Sequence, residues 1–430
     1  MLPALSTLLP NRATNLPVRV VNTTTNPVTI HKGSTISDLS SVSIGLAQKD
    51  IIGPKQPIDN RIIEDMISEV DSSVSESFKE NLRQLLNRYD NVISKHEVDL
   101  GWTDRVVHTI DTGNSRPIRQ QLHRHPPAHQ LEIDKQVKDL LAQGVIEPAS
   151  SPWSSNVVLA KNTDGSFRCC IDFRQLNEVT RKDAYPLPRT DQCFDALAGS
   201  CFFSSVDLRS GYHQCALSPL DADKTAFVTR RGMFRFKVLS FGLTNAVATF
   251  QRLMELVLSG LNFEIYLVYI DDVIVMSSTP EQHLERLEMV LQRLQEANLK
   301  LKPSKCHLMQ TEIIFLGHRI SKHGTSTDPA KTQLIKDWPT PTNLRQLRGF
   351  FSLAGYYRKF VQGFSDISAP LHKLMKKNQR FVWTLECQEA FERLKMALMS
   401  PPVLVLPAEE DQFILDTDAS EQSIGAVLSV

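Results

Sequence analysis

The feature that most constrains this chain is an apolar run broken in its middle by two acids. Ile265, Tyr266, Leu267 and Val268 lead into Tyr269-Ile270-Asp271-Asp272, and Val273, Ile274 and Val275 follow. Aromatic and β-branched residues on both sides of a polar break predict a buried β-hairpin over residues 264–276. Its tip would hold two carboxylates side by side. Like charges so placed repel, and keeping both ionised calls for a cation, for which Mg²⁺ is the natural candidate. An Asp-Asp pair by itself is more often a solvated turn, because Asp is a good turn residue.

Asp207 bears on that choice. It ends the strand-like run Cys201-Phe-Phe-Ser-Ser-Val-Asp207 and is followed by Leu208-Arg209-Ser210-Gly211-Tyr212. Three carboxylates from two adjacent strands can hold two metal ions. One would lower the pKa of a primer 3′-hydroxyl and the other would steady a triphosphate and its leaving pyrophosphate.

Around these acids the chain alternates helices and strands irregularly. Strand-like runs at 156–161 and 166–172 flank the turn residues Asn162-Thr-Asp-Gly165, a hairpin with Lys161 and Arg168 near its tip. Helices are expected at 77–89, 129–144, 246–258 and 283–298, and a further hairpin at 313–320. In the second helix Leu131, Val137, Leu140 and Leu141 are read as one stripe, with Gly144 as C-cap. In the third, Phe250, Leu253, Met254 and Val257 are spaced for burial, and in the fourth Leu284, Leu287, Leu291 and Leu294. Strand-like runs at 17–22 and 27–31 precede a polar linker, and no catalytic constellation falls before about residue 100. The pattern predicts an α+β fold with helices packed on an antiparallel sheet.

At 430 residues the chain exceeds one compact core, which implies about two to four domains. Its formal net charge of zero argues against a nucleic-acid partner, until the distribution is considered. Lys331, Lys336, Arg345, Arg348, Arg358, Lys359, Lys373, Lys376, Lys377 and Arg380 face only Asp337 and Asp366, so ten positive charges meet two negative ones. That local excess can be a solvated helical surface or the footprint of a phosphate backbone. Seven cysteines without a C-x-x-C pair fit a reduced, intracellular protein, cytoplasmic or nuclear, without a cysteine zinc site. Residues 1–10 lack the basic leader of a signal peptide, and no run is expected to span or engage a membrane.

Six segments, in order, resemble the reverse transcriptase of gypsy-type LTR retrotransposons, which are similar to retroviral polymerases. They are Pro152-Trp-Ser-Ser-Asn-Val-Val-Leu-Ala-Lys161, Phe167-Arg-Cys-Cys-Ile-Asp-Phe-Arg-Gln-Leu-Asn177, Val206-Asp-Leu-Arg-Ser-Gly-Tyr-His-Gln214, Phe241-Gly-Leu-Thr-Asn-Ala-Val-Ala-Thr-Phe250, Tyr269-Ile-Asp-Asp272 and Phe315-Leu-Gly-His318. The resemblance runs from about Thr103 to the C-terminus. It implies that Asp207 and Asp271 are the main metal ligands, with Leu208 beside them and Asp272 the third carboxylate. It gives Lys161, Arg168, Gly211, Tyr212 and Phe241 to the incoming nucleotide, with Tyr212 blocking a ribose 2′-hydroxyl. Phe315, Leu316, Gly317 and His318 match the primer grip. Val247 stands where the family usually has Pro, and Arg209 where a smaller polar residue or His is common.

The resemblance also implies a right hand. Residues 1–100 would be the spacer after a protease-like region, 101–324 the fingers and an antiparallel palm, and 325–380 the thumb and connection. Residues 381–430 would be the start of a ribonuclease H-like α/β piece, with Asp418 its first catalytic aspartate; with the other carboxylates missing, no ribonuclease H activity is expected. The expected partners are an RNA or DNA template with its primer, deoxynucleoside triphosphates and other parts of a Pol polyprotein, with Mg²⁺ or Mn²⁺ as cofactor. The alternatives are an inactive, nucleic-acid-binding fragment of such an element and a palm polymerase with another template preference. Asp111-Thr-Gly113 reads as a turn in the lead-in and not as a protease triplet. His123, His125 and His129 are separated by Pro126 and Pro127 and are not read as a zinc site.

Overall fold

The structure, a computed structural model, describes residues 60–162, 165–260, 262–400, 402, 404, 406, 414–419 and 424–429. The strands expected at 17–22 and 27–31 lie outside these residues.

A four-stranded antiparallel sheet carries the acidic hairpin. Its order is His307–Gln310, Phe202–Asp207, Asp272–Ser277, Tyr266–Tyr269. The two apolar strands of the hairpin, Tyr266–Tyr269 at the sheet's end and Asp272–Ser277 inside it, are buried on both faces, and the alternation of strand side chains shows how. Tyr266, Val268, Val273 and Val275 join a core with Leu253, Met254, Leu287 and Leu291 from two helices. Their neighbours Leu267, Ile274 and Met276 join Phe203, Phe194, Ile313, Phe315 and Ile320 in a second cluster on the other face. A strand between two apolar layers reads as a continuous apolar run, which is what residues 264–276 show.

The two helices behind the sheet are Ala246–Val257 and Pro280–Glu296. The first buries Phe250, Leu253, Met254 and Val257 as their spacing predicts, and it starts at Ala246 with Val247 where the family's Pro would be. The second begins three residues before the expected 283. Thr279 accepts the Gln282 N–H on its hydroxyl and Pro280 occupies the first turn, a start signal that lies before the apolar stripe. The early helix is found at Glu76–Arg88, and a further helix at Asn60–Ser68 falls in what reads as linker.

The stripe expected on the helix Pro127–Ala142 is corrected. Ile133 and Val137 are buried there, whereas Leu131 is 67% and Leu141 36% exposed. At 100° per residue, Ile133, Val137 and Leu140 cluster within about 60°, while Leu131 lies roughly opposite them. Gln143 caps the helix and Gly144 follows with φ +69°.

Strands Val157–Lys161 and Phe167–Ile171 form the expected hairpin. Ile146–Pro148, Gly232–Phe236 and Phe227–Thr229 make a small antiparallel sheet beside it. One pair departs from the antiparallel expectation: Thr103–His108 runs parallel to Cys215–Leu217. Beyond the main sheet, Glu312–Phe315, His318–Ser321 and Gly324–Thr327 form a three-stranded meander. Helices Pro329–Lys336, Leu344–Tyr356, Phe364–Leu374 and Leu385–Met399 then pack around Ile335, Leu347, Phe350, Leu371 and Phe391. Ile414–Ala419 and Ile424–Ser429 pair antiparallel. No helix among the described residues is long and apolar enough to cross a membrane.

Candidate active site

Ladder register decides where the acids stand. Asp272 is directly opposite Asp207 on one side and Tyr269 on the other. Directly opposed residues of an antiparallel pair have Cα atoms about 4.5–5.5 Å apart and project to the same face. Ile270 and Asp271 form the two-residue tip. Ile270 holds φ +58°, an uncommon conformation for a β-branched residue. Gln251, fully buried on the helix Ala246–Val257, supports it. Its Oε1 accepts the Ile270 N–H at 2.8 Å, and its Nε2 donates to the Val268 carbonyl at 3.3 Å and to Glu255 Oε1 at 2.8 Å.

The electrostatics follow from this crowding. Loss of solvent, then the charges of Asp207 and Asp272, push the Asp271 carboxyl up to about 6, against the opposing pull of Lys305. Loss of solvent and the Asp207 charge raise Asp272 as well. Both residues keep open surface at the tip, so the pair is crowded by protein and still reachable from outside. Lys305 Nζ lies 2.9 Å from Asp207 Oδ2. That ion pair, joined by the charges of Asp271 and Asp272, raises the Lys305 ammonium.

The donor set suits a hard divalent cation: carboxylate oxygens only, mutually repelling and open to solvent. As placed, no three such side chains among the described residues close into a single metal-ligand cluster, and Asp207 is engaged by Lys305. Leu208 is buried in the core, which leaves only its main chain for the role the resemblance gives it.

Tyr212 lies in the short turn Gly211–Gln214, just beyond the strand that carries Asp207. Its ring packs 4.8 Å from that of Phe241 and 5.0 Å from that of Phe250. Burial, and then the Asp271 charge, push its hydroxyl up to about 12. Gly211 permits the close approach: a Cβ there would meet Phe250 Cζ at 2.7 Å. Phe241 is 47% exposed and offers an open ring edge.

The remaining expected residues are placed less tightly. Lys161 pairs with Phe167, and Arg168 with Ala160. Both basic residues are exposed, but the two-residue alternation sends them to opposite faces of the ladder, so the hairpin does not bring them together. Phe315 and His318 are buried in the core, which leaves the Leu316-Gly317 turn as the accessible part of that motif. Asp418 lies on the strand Ile414–Ala419, opposite Gly425. Asp111 Oδ1 accepts the Gly113 N–H at 2.8 Å, the turn expected for that triplet. Two residues escaped the sequence reading. Lys305 is 98 positions from its partner, and its only signal is a Pro303-Ser-Lys305 turn ahead of a strand. Gln251 shows as one polar position in an apolar helical stripe.

Residues 159–320 match the family described as reverse transcriptase (RNA-dependent DNA polymerase), and residues 383–430 match an RNase H-like domain found in reverse transcriptase. The retrovirus-related Pol polyprotein from transposon 297 of Drosophila melanogaster is 38% identical over 360 residues, covering 82% of this chain and 34% of that protein. The Pol polyprotein from transposon gypsy of the same organism is 34% identical over 377 residues, 84% of this chain and 36% of that one. The chain therefore spans about a third of the length of these curated relatives. Among solved structures, the foamy viral protease-reverse transcriptase in complex with dsDNA superposes with a TM-score of 0.78 at 24% identity, over 86% of this chain and 77% of that chain. Its counterpart in complex with RNA/DNA hybrid gives 0.74 at 24% identity, over 84% and 49%. This likeness is one of fold, and it places the described elements in the right-handed α+β architecture. The chain carries the reverse transcriptase domain of retrovirus-related transposon Pol polyproteins, followed by sequence of the RNase H-like domain that accompanies it.

Proposed function

We propose that this chain extends a primer on an RNA or DNA template by adding deoxynucleotides to the 3′-hydroxyl. The observation that carries the reading is the register that sets Asp207 against Asp272, with Asp271 at the adjoining tip. Asp207, Asp271 and Asp272 hold the divalent cations, with the Leu208 main chain beside them. Mg²⁺, or Mn²⁺ in its place, would when bound by these carboxylates supply acidification of the attacking hydroxyl and charge neutralisation of the triphosphate. Lys305, 2.9 Å from Asp207 Oδ2, holds that side chain in place until then. Tyr212 and Phe241 wall the sugar, with Gly211 letting the wall stand close, so that a 2′-hydroxyl is excluded by contact. Lys161 and Arg168 gather the triphosphate as a point charge and a fork, which requires the hairpin to bring its two faces round the phosphates. The Leu316-Gly317 turn steadies the primer terminus.

In the same reading residues 1–100 are a spacer, 101–324 fingers and palm, 325–380 thumb and connection, and 381–430 ribonuclease H-like, within a longer Pol polyprotein. The foamy viral relatives in complex with dsDNA and with RNA/DNA hybrid support a nucleic-acid partner. Primer extension by the purified chain with Mg²⁺ tests the proposal. Asp207→Ala is expected to abolish extension and leave the far-ultraviolet circular dichroism unchanged; undiminished extension would remove Asp207 from the site.

A further inference from the structure

The turn between Glu312–Phe315 and His318–Ser321 is held by more than its own ladder. Leu316 has φ +47° and Gly317 φ +71°. Two successive residues in the left-handed region, the first of them not glycine, are unfavourable without support. Two hydroxyls supply it from the end of the helix Leu344–Tyr356. Tyr356 donates to the Leu316 carbonyl at 2.5 Å, and Tyr357 to the Gly317 carbonyl at 2.5 Å. His318 Nδ1 donates to the same Leu316 carbonyl at 3.1 Å. That bond sets the proton on Nδ1, and burial lowers the imidazole pKa and favours the neutral ring. Its ring lies among those of Phe194, Tyr356, Tyr357 and Phe360, with centroids 4.7 to 5.6 Å away.

Packing demand alone does not account for both tyrosines. Tyr357 is buried at 1% exposure, whereas Tyr356 is 46% exposed and still directs its hydroxyl to a carbonyl. Gly317 fits the contact as well as the turn, since a Cβ there would stand 3.3 Å from Tyr357 Oη. On its other side the turn reaches the acids. Leu316 and Tyr269 both pack against the cluster of Phe203, Leu267, Ile274 and Phe315, and Tyr269 is the ladder partner of Asp272. The acidic tip, the turn and the helix that bears Arg345 and Arg348 are thereby joined in one continuous series of contacts.

We propose that Tyr356 and Tyr357 are positioning residues whose hydroxyls tie the Leu316-Gly317 turn to the helix Leu344–Tyr356, so that the primer terminus is held in fixed relation to the acidic tip. The proposal rests on the polymerase reading above. Replacing both hydroxyls, in the full chain carrying Tyr356→Phe and Tyr357→Phe, keeps the rings and removes two hydrogen bonds.

The single-turnover rate of deoxynucleotide addition at saturating nucleotide is expected to fall by about tenfold, with the dissociation constant for primer–template within about twofold of the parent. Hydrogen exchange of the free chain should show faster exchange in residues 315–319. A rate within twofold of the parent would overturn the proposal. So would a reduced burst amplitude at an unchanged rate, because a merely structural role loses active molecules and not speed. Should the parent chain extend no primer, the polymerase reading falls; faster exchange would then still support the tie, and unchanged exchange would overturn it.

Discussion

At the tip of the acidic hairpin, ionising Asp271 places a negative charge beside those of Asp272 and Asp207, in a spot partly stripped of water. Its pKa of about 6 records that opposition. The folded value stands above the ordinary one for an aspartate, so the folded chain binds this proton more tightly than the unfolded chain. Stability without divalent cation therefore rises as pH falls through about 6 toward the unfolded value near 3.9. Asp271→Asn is expected to raise the unfolding temperature at pH 7 and to leave it nearly unchanged at pH 4. A lower unfolding temperature at pH 7 would show that the ionised carboxylate is not under strain. Metal binding should run the other way with pH. The cation needs the carboxylate, so the Mg²⁺ concentration for half-maximal extension should rise by about fourfold between pH 7.5 and 5.5. Tyr212→Ala, which opens the wall beside Phe241, should let ribonucleotides be added, as competition between ribo- and deoxynucleotides would show. The acids could be read from the chain because each ends or follows an unmistakable apolar strand, whereas the role of Tyr212 is implied only by the resemblance. Lys305 could not, because an exposed lysine has no pattern until the fold sets it 2.9 Å from Asp207.

Among the elements, the acidic hairpin and the helix Ala246–Val257 act as one unit through Gln251. Replacing Gln251 by Leu would keep the volume, remove the acceptor for the Ile270 N–H and leave that group to find water at the tip. A loss of about 1–3 kcal/mol in urea unfolding is expected, because a backbone donor forfeits its partner under partial burial. Extension should fall further than stability does, since the residue released is the one preceding Asp271. Wild-type-like unfolding would show that the ladder alone sustains the turn. Periodicity located this helix and the central strands because each faces an apolar layer throughout. It misjudged the helix Pro127–Ala142, where the leucines are more numerous on the wrong side and the buried stripe is carried by Ile133 and Val137. Ile133→Ala should accordingly cost about 2–4 kcal/mol, while Leu131→Ala should change stability by less than about 0.5 kcal/mol. A reversal of that order in thermal unfolding would contradict the observed facing.

For the molecule as a whole, a net charge of zero conceals how positive one region is. The ten basic residues between Lys331 and Arg380 are all exposed, and none of them makes an ion pair among the described residues. The sequence already shows the imbalance, but it cannot show that the helices would turn Leu347, Phe350 and Leu371 inward and leave every one of these cations on the surface. That arrangement distinguishes a solvated face from an internal network: apart from Lys359, whose ammonium lies over the rings of Phe194 and Phe360, these surface cations keep their field for a polyanion. If six to eight of them neutralise phosphates of a primer–template duplex, counterions are released in proportion. The logarithm of the association constant should then fall with the logarithm of salt concentration at a slope of about −5 to −7, a loss of about 10³- to 10⁴-fold between 50 and 200 mM. Lys373→Ala, Lys376→Ala and Lys377→Ala together should reduce the magnitude of that slope by up to about 3. The acidic tip lies on the four-stranded sheet and not on the helix Phe364–Leu374 or the turn after it, so the rate of nucleotide addition by complexes already formed should hardly change. A slope that stays the same after the triple substitution would place the nucleic acid elsewhere, and a flat salt response of the parent would leave the basic helices as a solvated surface with no phosphate to bind.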